Sequence, residues 1–79
     1  MNIKINIQHT AALFVVLVGS VDQIINNYAE VELLNSENEV SYISMPMALF
    51  PCIVEEGSLF YIYNSAQTTE IRCGRPPEQ

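Results

Sequence analysis

The sequence predicts an all-β domain that folds as a small barrel. No window of about a dozen residues keeps the i, i+3, i+4, i+7 apolar spacing of an amphipathic helix. Short runs rich in Val, Ile and Tyr instead alternate with turn residues such as Asn, Gly and Pro. A chain of 79 residues, 49% hydrophobic and 15% charged, is long enough for one core only. We therefore expect a single domain over residues 1–79.

The first elements are two apolar segments near the N-terminus. Isoleucines alternate with polar residues over 3–7, which predicts a short amphipathic strand, and the continuous apolar run 13–18 predicts a strand covered on both faces. The run is far shorter than the about 20 residues that a membrane-spanning helix needs. The longer apolar run 11–18, with Gly19 and Ser20 after it, also fits a secretory signal. We favour the buried strand in a cytoplasmic protein and keep secretion as the alternative.

The centre of the chain predicts a β-hairpin. Asn26-Asn27 is a turn dipeptide, and the segments 29–33 and 39–44 alternate apolar and polar residues on either side of a second turn at 35–38. A loop tip at Ser36 and Glu37 sets Leu33 opposite Val40 and Val31 opposite Tyr42, so these four are expected to face the core. The other face of this hairpin then carries Glu30, Glu32 and Glu39 as an acidic stripe. An ordinary solvated surface and a partner-binding surface both fit this stripe.

The segment after the hairpin predicts one helical turn near 46–50, because proline suits the first position of a helix. Pro51 ends this turn and forces Phe50 into an extended conformation. We expect Leu49 and Phe50 to plug one end of the barrel.

The C-terminal third predicts two more strands, 59–63 and 68–73, after a turn in which Gly57 takes a positive φ. The tail 74–79 has two prolines and no apolar anchor, so we expect it to fray. Closing the sheet protects the edges of so short a chain, so we predict an SH3-like or OB-like barrel of five to six strands.

The tyrosines of the strand 59–63 are the aromatic candidates for a binding surface. Tyr61 and Tyr63 share one face of the strand, and Phe60 and Ile62 share the other. If Phe60 and Ile62 face the core, the tyrosines face outward next to the acidic stripe, as in many protein interfaces. The opposite arrangement stays open.

The charge balance excludes one class of partner and favours another. Nine acidic residues stand against three basic ones, and no Lys or Arg occurs between Lys4 and Arg72. Nucleic-acid binding requires a basic face, so we expect no direct nucleic-acid contact. An acidic surface suits a protein partner with a basic surface.

No catalytic or metal-binding constellation stands out, so we expect no enzyme activity, cofactor or metal. His9 is the single histidine, and Cys52 and Cys73 are too few and too far apart for a zinc site. The two cysteines fit either one disulfide or a pair of reduced, packed side chains, and we favour the reduced pair.

Residues 21 to 62 carry a pattern of turn and core residues. The pattern reads Val-Asp-x-Ile, then a Tyr-Ala strand, then Pro-x-x-Leu-[Leu/Phe]-Pro and Glu-Gly. Its residues are Val21, Asp22, Ile24, Tyr28, Ala29, Glu32, Leu33, Pro46, Leu49, Pro51, Glu56 and Gly57. This pattern resembles that of a small prokaryotic family of uncharacterised domains that are expected to be compact β-barrels. The resemblance implies a fold and no activity.

The chain departs from that family at several positions. Asn26-Asn27 replaces a Gly-Asp turn, Phe50 replaces Leu, Ser58 replaces Asp, and the charged C-terminal tail is missing. The pattern is also similar to the OB-type hydrogenase-maturation chaperones. Their functional N-terminal cysteine is absent here, so that activity does not carry over.

Three functions fit these observations. The first is a protein-binding module, with or without self-association into a homodimer, that uses the acidic hairpin and the tyrosines. The second is a phage or mobile-element inhibitor, of the anti-CRISPR kind, whose carboxylates mimic nucleic-acid phosphates. The third is a secreted module with a Cys52–Cys73 disulfide.

Overall fold

The computed structural model describes residues 14–65 and 68–77, and this part of the chain is all-β. Its elements are β1 (Phe14–Ile25), β2 (Tyr28–Asn35), β3 (Val40–Pro46), a 3₁₀ turn (Met47–Leu49), β4 (Leu59–Asn64) and β5 (Thr69–Cys73). The five strands form one antiparallel sheet in the order β3-β2-β1-β4-β5. The predicted fold class and the short helical turn are confirmed. Closure into a barrel stays a prediction, and the strand predicted at 3–7 lies outside the described residues.

Strand β1 is the centre of the sheet and is longer than the sequence predicted. It pairs with β2 on one side and β4 on the other, and it continues through Gly19 and Ser20. Gly19 lies directly opposite Phe60 of β4, whose ring covers the glycine. A Cβ at position 19 would lie 2.6 and 2.7 Å from two carbons of that ring. The missing side chain is thus what admits the phenylalanine into the core.

A β-bulge and a tight turn end β1. Val21 pairs with Val31 and Gln23 with Glu30, so Asp22 is an extra residue in the strand. The turn to β2 uses Asn26 and Asn27 at φ 50° and 69°. Two successive positive φ values define a type I′ turn, which matches the twist of the two strands and confirms the predicted turn.

The hairpin between β2 and β3 differs from the prediction by one residue. Asn38 has a φ of 64°, and the Asn35 N–H donates to the Glu39 carbonyl at 3.1 Å. These features define a three-residue loop over 36–38 rather than a two-residue tip. An odd loop length moves β3 by one position, which transfers every β3 side chain to the opposite face.

The predicted pairs across this hairpin are therefore wrong. Leu33 lies opposite Ser41, and Val31 lies opposite Ile43. Leu33 and Val31 do face the core, as expected, but Val40 and Tyr42 face the other side. The full register of this hairpin pairs Leu34 with Val40, Glu32 with Tyr42, Glu30 with Ser44, Ala29 with Met45 and Tyr28 with Pro46.

The core lies on one face of the sheet, beneath the segment 47–58. Its buried members are Val21, Ala29, Val31, Leu33, Met45, Phe50, Val54 and Phe60. Phe60 is 0% exposed, and Phe50 meets it edge to face with ring centroids 5.0 Å apart. Phe50 is extended, as predicted, with φ −86° and ψ 139°. Leu49 is 56% exposed, so its predicted role as a plug at the end of the barrel is wrong.

The end of the 47–58 segment is held against β1. Gly57 has a φ of 90°, and the Ser58 N–H donates to the Glu55 carbonyl at 2.9 Å, as in a type II turn. The Gly57 N–H donates to the Val21 carbonyl and the Val21 N–H donates to the Ser58 carbonyl, both at 2.9 Å. The predicted positive φ at Gly57 is confirmed.

A disulfide joins the 47–58 segment to the last strand. It links Cys52 to Cys73, with Cα atoms 6.5 Å apart. The preference for reduced, packed cysteines is wrong, because both residues are exposed and bonded to each other. Cys73 pairs with Phe60 at the edge of the core face, and the covering segment brings Cys52 to the same place.

Among residues 14–65 and 68–77, no helix has the length and apolar character needed to cross a membrane.

Candidate protein-interaction face

The face of the sheet opposite the core, here called the outer face, carries the candidate site. Successive side chains of a strand alternate between the two faces, so the register assigns every residue to one of them. The outer face carries Val15, Val18, Ser20, Gln23, Ile25, Tyr28, Glu30, Glu32, Leu34, Val40, Tyr42, Ser44, Pro46, Leu59, Tyr61, Tyr63, Glu70 and Arg72. It brings both predicted tyrosines and two of the three predicted glutamates together on one surface.

The two glutamates of β2 have different surroundings. The Ser44 hydroxyl donates its hydrogen to the Glu30 carboxylate, whose two oxygens lie 2.6 and 2.7 Å from the hydroxyl oxygen. Glu32 lies opposite Tyr42 and is exposed. Two strand positions separate these carboxylates, so both project from the same face.

Glu39 does not lie on either strand of the hairpin. It occupies the connection before β3, where its carboxylate accepts a hydrogen bond from the Asn35 side-chain amide at 2.8 Å. The Glu39 N–H also donates to the Asn35 side-chain oxygen at 2.9 Å. Glu39 therefore stabilises the loop, and the predicted stripe of three acids has two members on the sheet.

The tyrosines of β4 are more covered than the sequence suggested. Phe60 faces the core, so Tyr61 and Tyr63 lie on the outer face, but Tyr61 is only 8% exposed. The Arg72 guanidinium lies 4.5 Å from the centre of the Tyr63 ring, a cation–π contact. The same guanidinium donates to the Glu70 carboxylate at 3.0 and 3.1 Å.

Arg72, the cation of β5, is thus already paired with Glu70 and Tyr63. The hydrogen bond to Glu70, together with the charge of that carboxylate, raises the pKa of Arg72 above its ordinary value. Arg72 and Arg75 are the only cationic side chains within 14–65 and 68–77, and both lie in or after β5. The acids of β2 therefore have no cation beside them in the described part of the sheet.

Tyr42 is the exposed aromatic residue that the sequence prediction placed in the core. It is 74% exposed and stands on β3 opposite Glu32. The residue of the sequence that indicates the outward position of Tyr42 is Asn38, because asparagine readily takes a positive φ at the end of a three-residue hairpin loop. That loop length would have moved Tyr42 to the outer face.

Two open depressions lie on this surface. The larger, of about 340 Å³, has Asp22, Gln23, Glu30, Tyr42 and Ser44 in its lining. The second, of about 210 Å³, is lined by Val18, Gly19, Ser20, Glu32, Leu34 and Leu59. The first is mainly polar and acidic, and the second is mainly apolar. Together they offer both chemistries that a protein interface uses.

The described residues hold no cluster of three or more His, Cys, Asp or Glu side chains in metal-binding proximity. His9 lies outside the described residues.

Comparison of the chain with protein-family models, curated proteins and solved structures finds no match in any of the three. The resemblance to the prokaryotic β-barrel family, and the weaker one to the hydrogenase-maturation chaperones, therefore stay predictions. What the fold and the site define is a class: a small all-β domain with an acidic and aromatic outer face.

Proposed function

We propose that this protein is a non-enzymatic protein-binding module whose outer face recognises a basic partner. The observation that carries the proposal is the pairing of Glu32 with Tyr42 on β2 and β3, where the tyrosine is 74% exposed. Aromatic rings are enriched at the centre of protein interfaces, where they bury a large area at a small entropic cost.

The distribution of charged residues also favours a basic partner. Glu30 and Glu32 project from one face, and Asp22 lines the adjoining depression. The described cations, Arg72 and Arg75, lie in or after β5, at the edge of the sheet away from β2 and β3. The whole chain carries a net charge of −6. The negative field of the protein raises the association rate of a basic partner. Added salt screens this field and lowers that rate.

The site differs from the predicted one in its aromatic residue. Tyr61 is almost entirely buried, and the ring of Tyr63 already contacts the Arg72 guanidinium. Tyr42 has neither restriction in the described structure. The proposed contact surface is therefore centred on Glu30, Glu32 and Tyr42, with Leu34 and Val18 as its apolar neighbours.

A displayed library of random peptides, selected on the immobilised chain, tests the proposal. Peptides enriched in Lys and Arg are expected from the wild type, and Glu30→Lys/Glu32→Lys is expected to abolish their recovery. The matched control is Glu55→Lys/Glu56→Lys, which changes the net charge equally at an exposed turn outside the sheet. Equal recovery from both variants would remove the outer face from the proposal.

A further inference from the structure

The two edges of the sheet are built differently. The edge strand β5 has five residues, carries Glu70 and Arg72, and ends at the disulfide-bonded Cys73. The edge strand β3 has seven residues, VSYISMP, with no charge and no interruption of its register with β2. Charges, bulges and short length are the features that prevent further strand pairing. β5 has such features, whereas β3 has only a proline at its end.

The hydrogen-bond pattern between β2 and β3 determines which backbone groups of β3 face away from β2. Antiparallel pairs alternate between hydrogen-bonded and non-hydrogen-bonded. The Met47 N–H donates to the Asn27 carbonyl at 2.9 Å, so odd-numbered residues of β3 bond to β2. The N–H and carbonyl groups of Val40, Tyr42 and Ser44 therefore point outward. No turn, loop or cap hydrogen bond among the described residues uses them.

Pro46 marks one end of this row of outward backbone groups, here called the free edge because no strand within 14–65 and 68–77 pairs with it. It is the next even-numbered position, and a proline has no N–H to donate there. The free edge thus presents a donor and an acceptor at each of three alternate residues. This is the arrangement that proteins use when they bind an extended peptide by strand addition.

We infer that the free edge of β3 binds an extended segment of a partner in which basic residues alternate with apolar ones. The inference rests on the proposed function and specifies how the basic partner is held. In an antiparallel arrangement, residues opposite Tyr42 and Ser44 place their side chains on the outer face. Those in between lie beside Ile43, which is 45% exposed on the core side.

Charge complementarity selects this occupant. Glu30 and Glu32 lie two strand spacings, about 9.6 Å, from the incoming strand. A lysine or arginine side chain in that strand spans most of this distance across Tyr42, where it also gains a cation–π contact. The depression of about 340 Å³ beside this edge, lined by Asp22 and Glu30, receives its charged end. A second copy of this chain would bring an uncharged strand and a further net charge of −6.

A defined peptide tests the inference on the ¹⁵N-labelled full chain. The probe is acetyl-Thr-Lys-Val-Lys-Val-Lys-Thr-amide, and the readouts are chemical-shift change and amide hydrogen exchange. We expect saturable shifts and slower exchange at the amides of Val40, Tyr42 and Ser44. The amides of the other edge strand, β5, serve as the internal control and should not respond.

The matched control peptide has the same sequence with N-methyl groups on the amides that face β3. It keeps every charge and side chain and lacks the donors, so we expect an affinity lower by about tenfold or more. Unchanged affinity for this peptide would overturn strand addition, and so would the absence of shifts at the three β3 amides with the unmodified peptide.

The protein variant Glu30→Gln/Glu32→Gln separates this inference from the proposed function. It should weaken the unmodified peptide about fivefold to tenfold at low salt and less at high salt. If this variant weakens binding while N-methylation does not, the acidic face stands and strand addition fails. If N-methylation weakens binding and the variant does not, the edge binds a strand but the basic occupant and the proposed function both fail. Slow exchange of the same amides in a peptide-free dimer would assign the edge to a second copy and overturn the inference.

Discussion

Removal of the Cys52–Cys73 disulfide is expected to lower the free energy of unfolding by about 3 kcal/mol. The bond joins residues with a sequence separation of 21. In the chain-entropy treatment, a cross-link over a loop of this length removes about 11 cal/mol/K from the unfolded chain, or about 3.3 kcal/mol at room temperature. Because both cysteines are exposed, the variant Cys52→Ser/Cys73→Ser buries no new polar group.

The loss is large for a domain of this size. At about 0.05–0.15 kcal/mol per residue, a chain of 79 residues has a total stability of about 4–12 kcal/mol. Each kcal/mol corresponds to about 4–8 °C in the melting temperature of such a domain, so the midpoint should fall by about 13–26 °C. The variant should remain folded at room temperature, with far less reserve.

Urea unfolding followed by circular dichroism measures the effect. The samples are the oxidised wild type, the wild type in a phosphine reductant, and the double serine variant. The reduced wild type and the variant should agree with each other, and both should show a larger dependence on urea because their unfolded chains are less compact. Intact mass confirms the oxidised state through the loss of one hydrogen molecule. A variant within about 1 kcal/mol of the oxidised wild type, with the same urea dependence, would refute the reasoning.

Two glycine substitutions test the packing and the turn by the same urea assay. Gly19→Ala places a Cβ 2.6 Å from a ring carbon of Phe60, so it should lower the free energy of unfolding by about 1–3 kcal/mol. In the double variant Gly19→Ala/Phe60→Leu, the smaller leucine relieves the overlap with the new Cβ. The loss of stability should therefore be smaller than the sum of the losses in the two single variants, and losses that simply add would contradict the overlap. Gly57→Ala meets no atom within 4 Å but sits at φ 90°, so a loss of about 1–2 kcal/mol is expected from backbone strain alone. Gly57→Asn should lose less, because asparagine tolerates positive φ, and equal losses for both variants would exclude strain as the cause.

Local chemistry explains the predictions that the structure confirms. The Asn26-Asn27 turn, the positive φ of Gly57 and the extended Phe50 each depend on the conformational limits of one or two residues. Such limits act over a few bonds and are visible in a single sequence. The core-facing side of β2 was also predictable, because Val31 and Leu33 alternate with glutamates.

The wrong predictions concern relations between segments. One residue of loop length decided whether Tyr42 faced the core, although the position of β3 in the chain was predicted to within two residues. Gly19 looked like the end of an apolar run, since the ring of Phe60 that requires it is 41 positions away in the chain. Leu49 and Phe50 are both large and apolar, and only the path of the 47–58 segment decides that Phe50 alone is buried.

The sequence by itself determined that this protein is all-β, where its turns lie, that its surface is acidic, and that two glutamates share a face of β2. The tertiary structure decided which aromatic residue joins them, which cysteine chemistry prevails, and which edge strand has no further partner among residues 14–65 and 68–77. The physical reason is the range of the interactions. Backbone preferences and side-chain alternation are local, whereas strand register, ring packing and disulfide pairing depend on segments that meet only when the chain has folded.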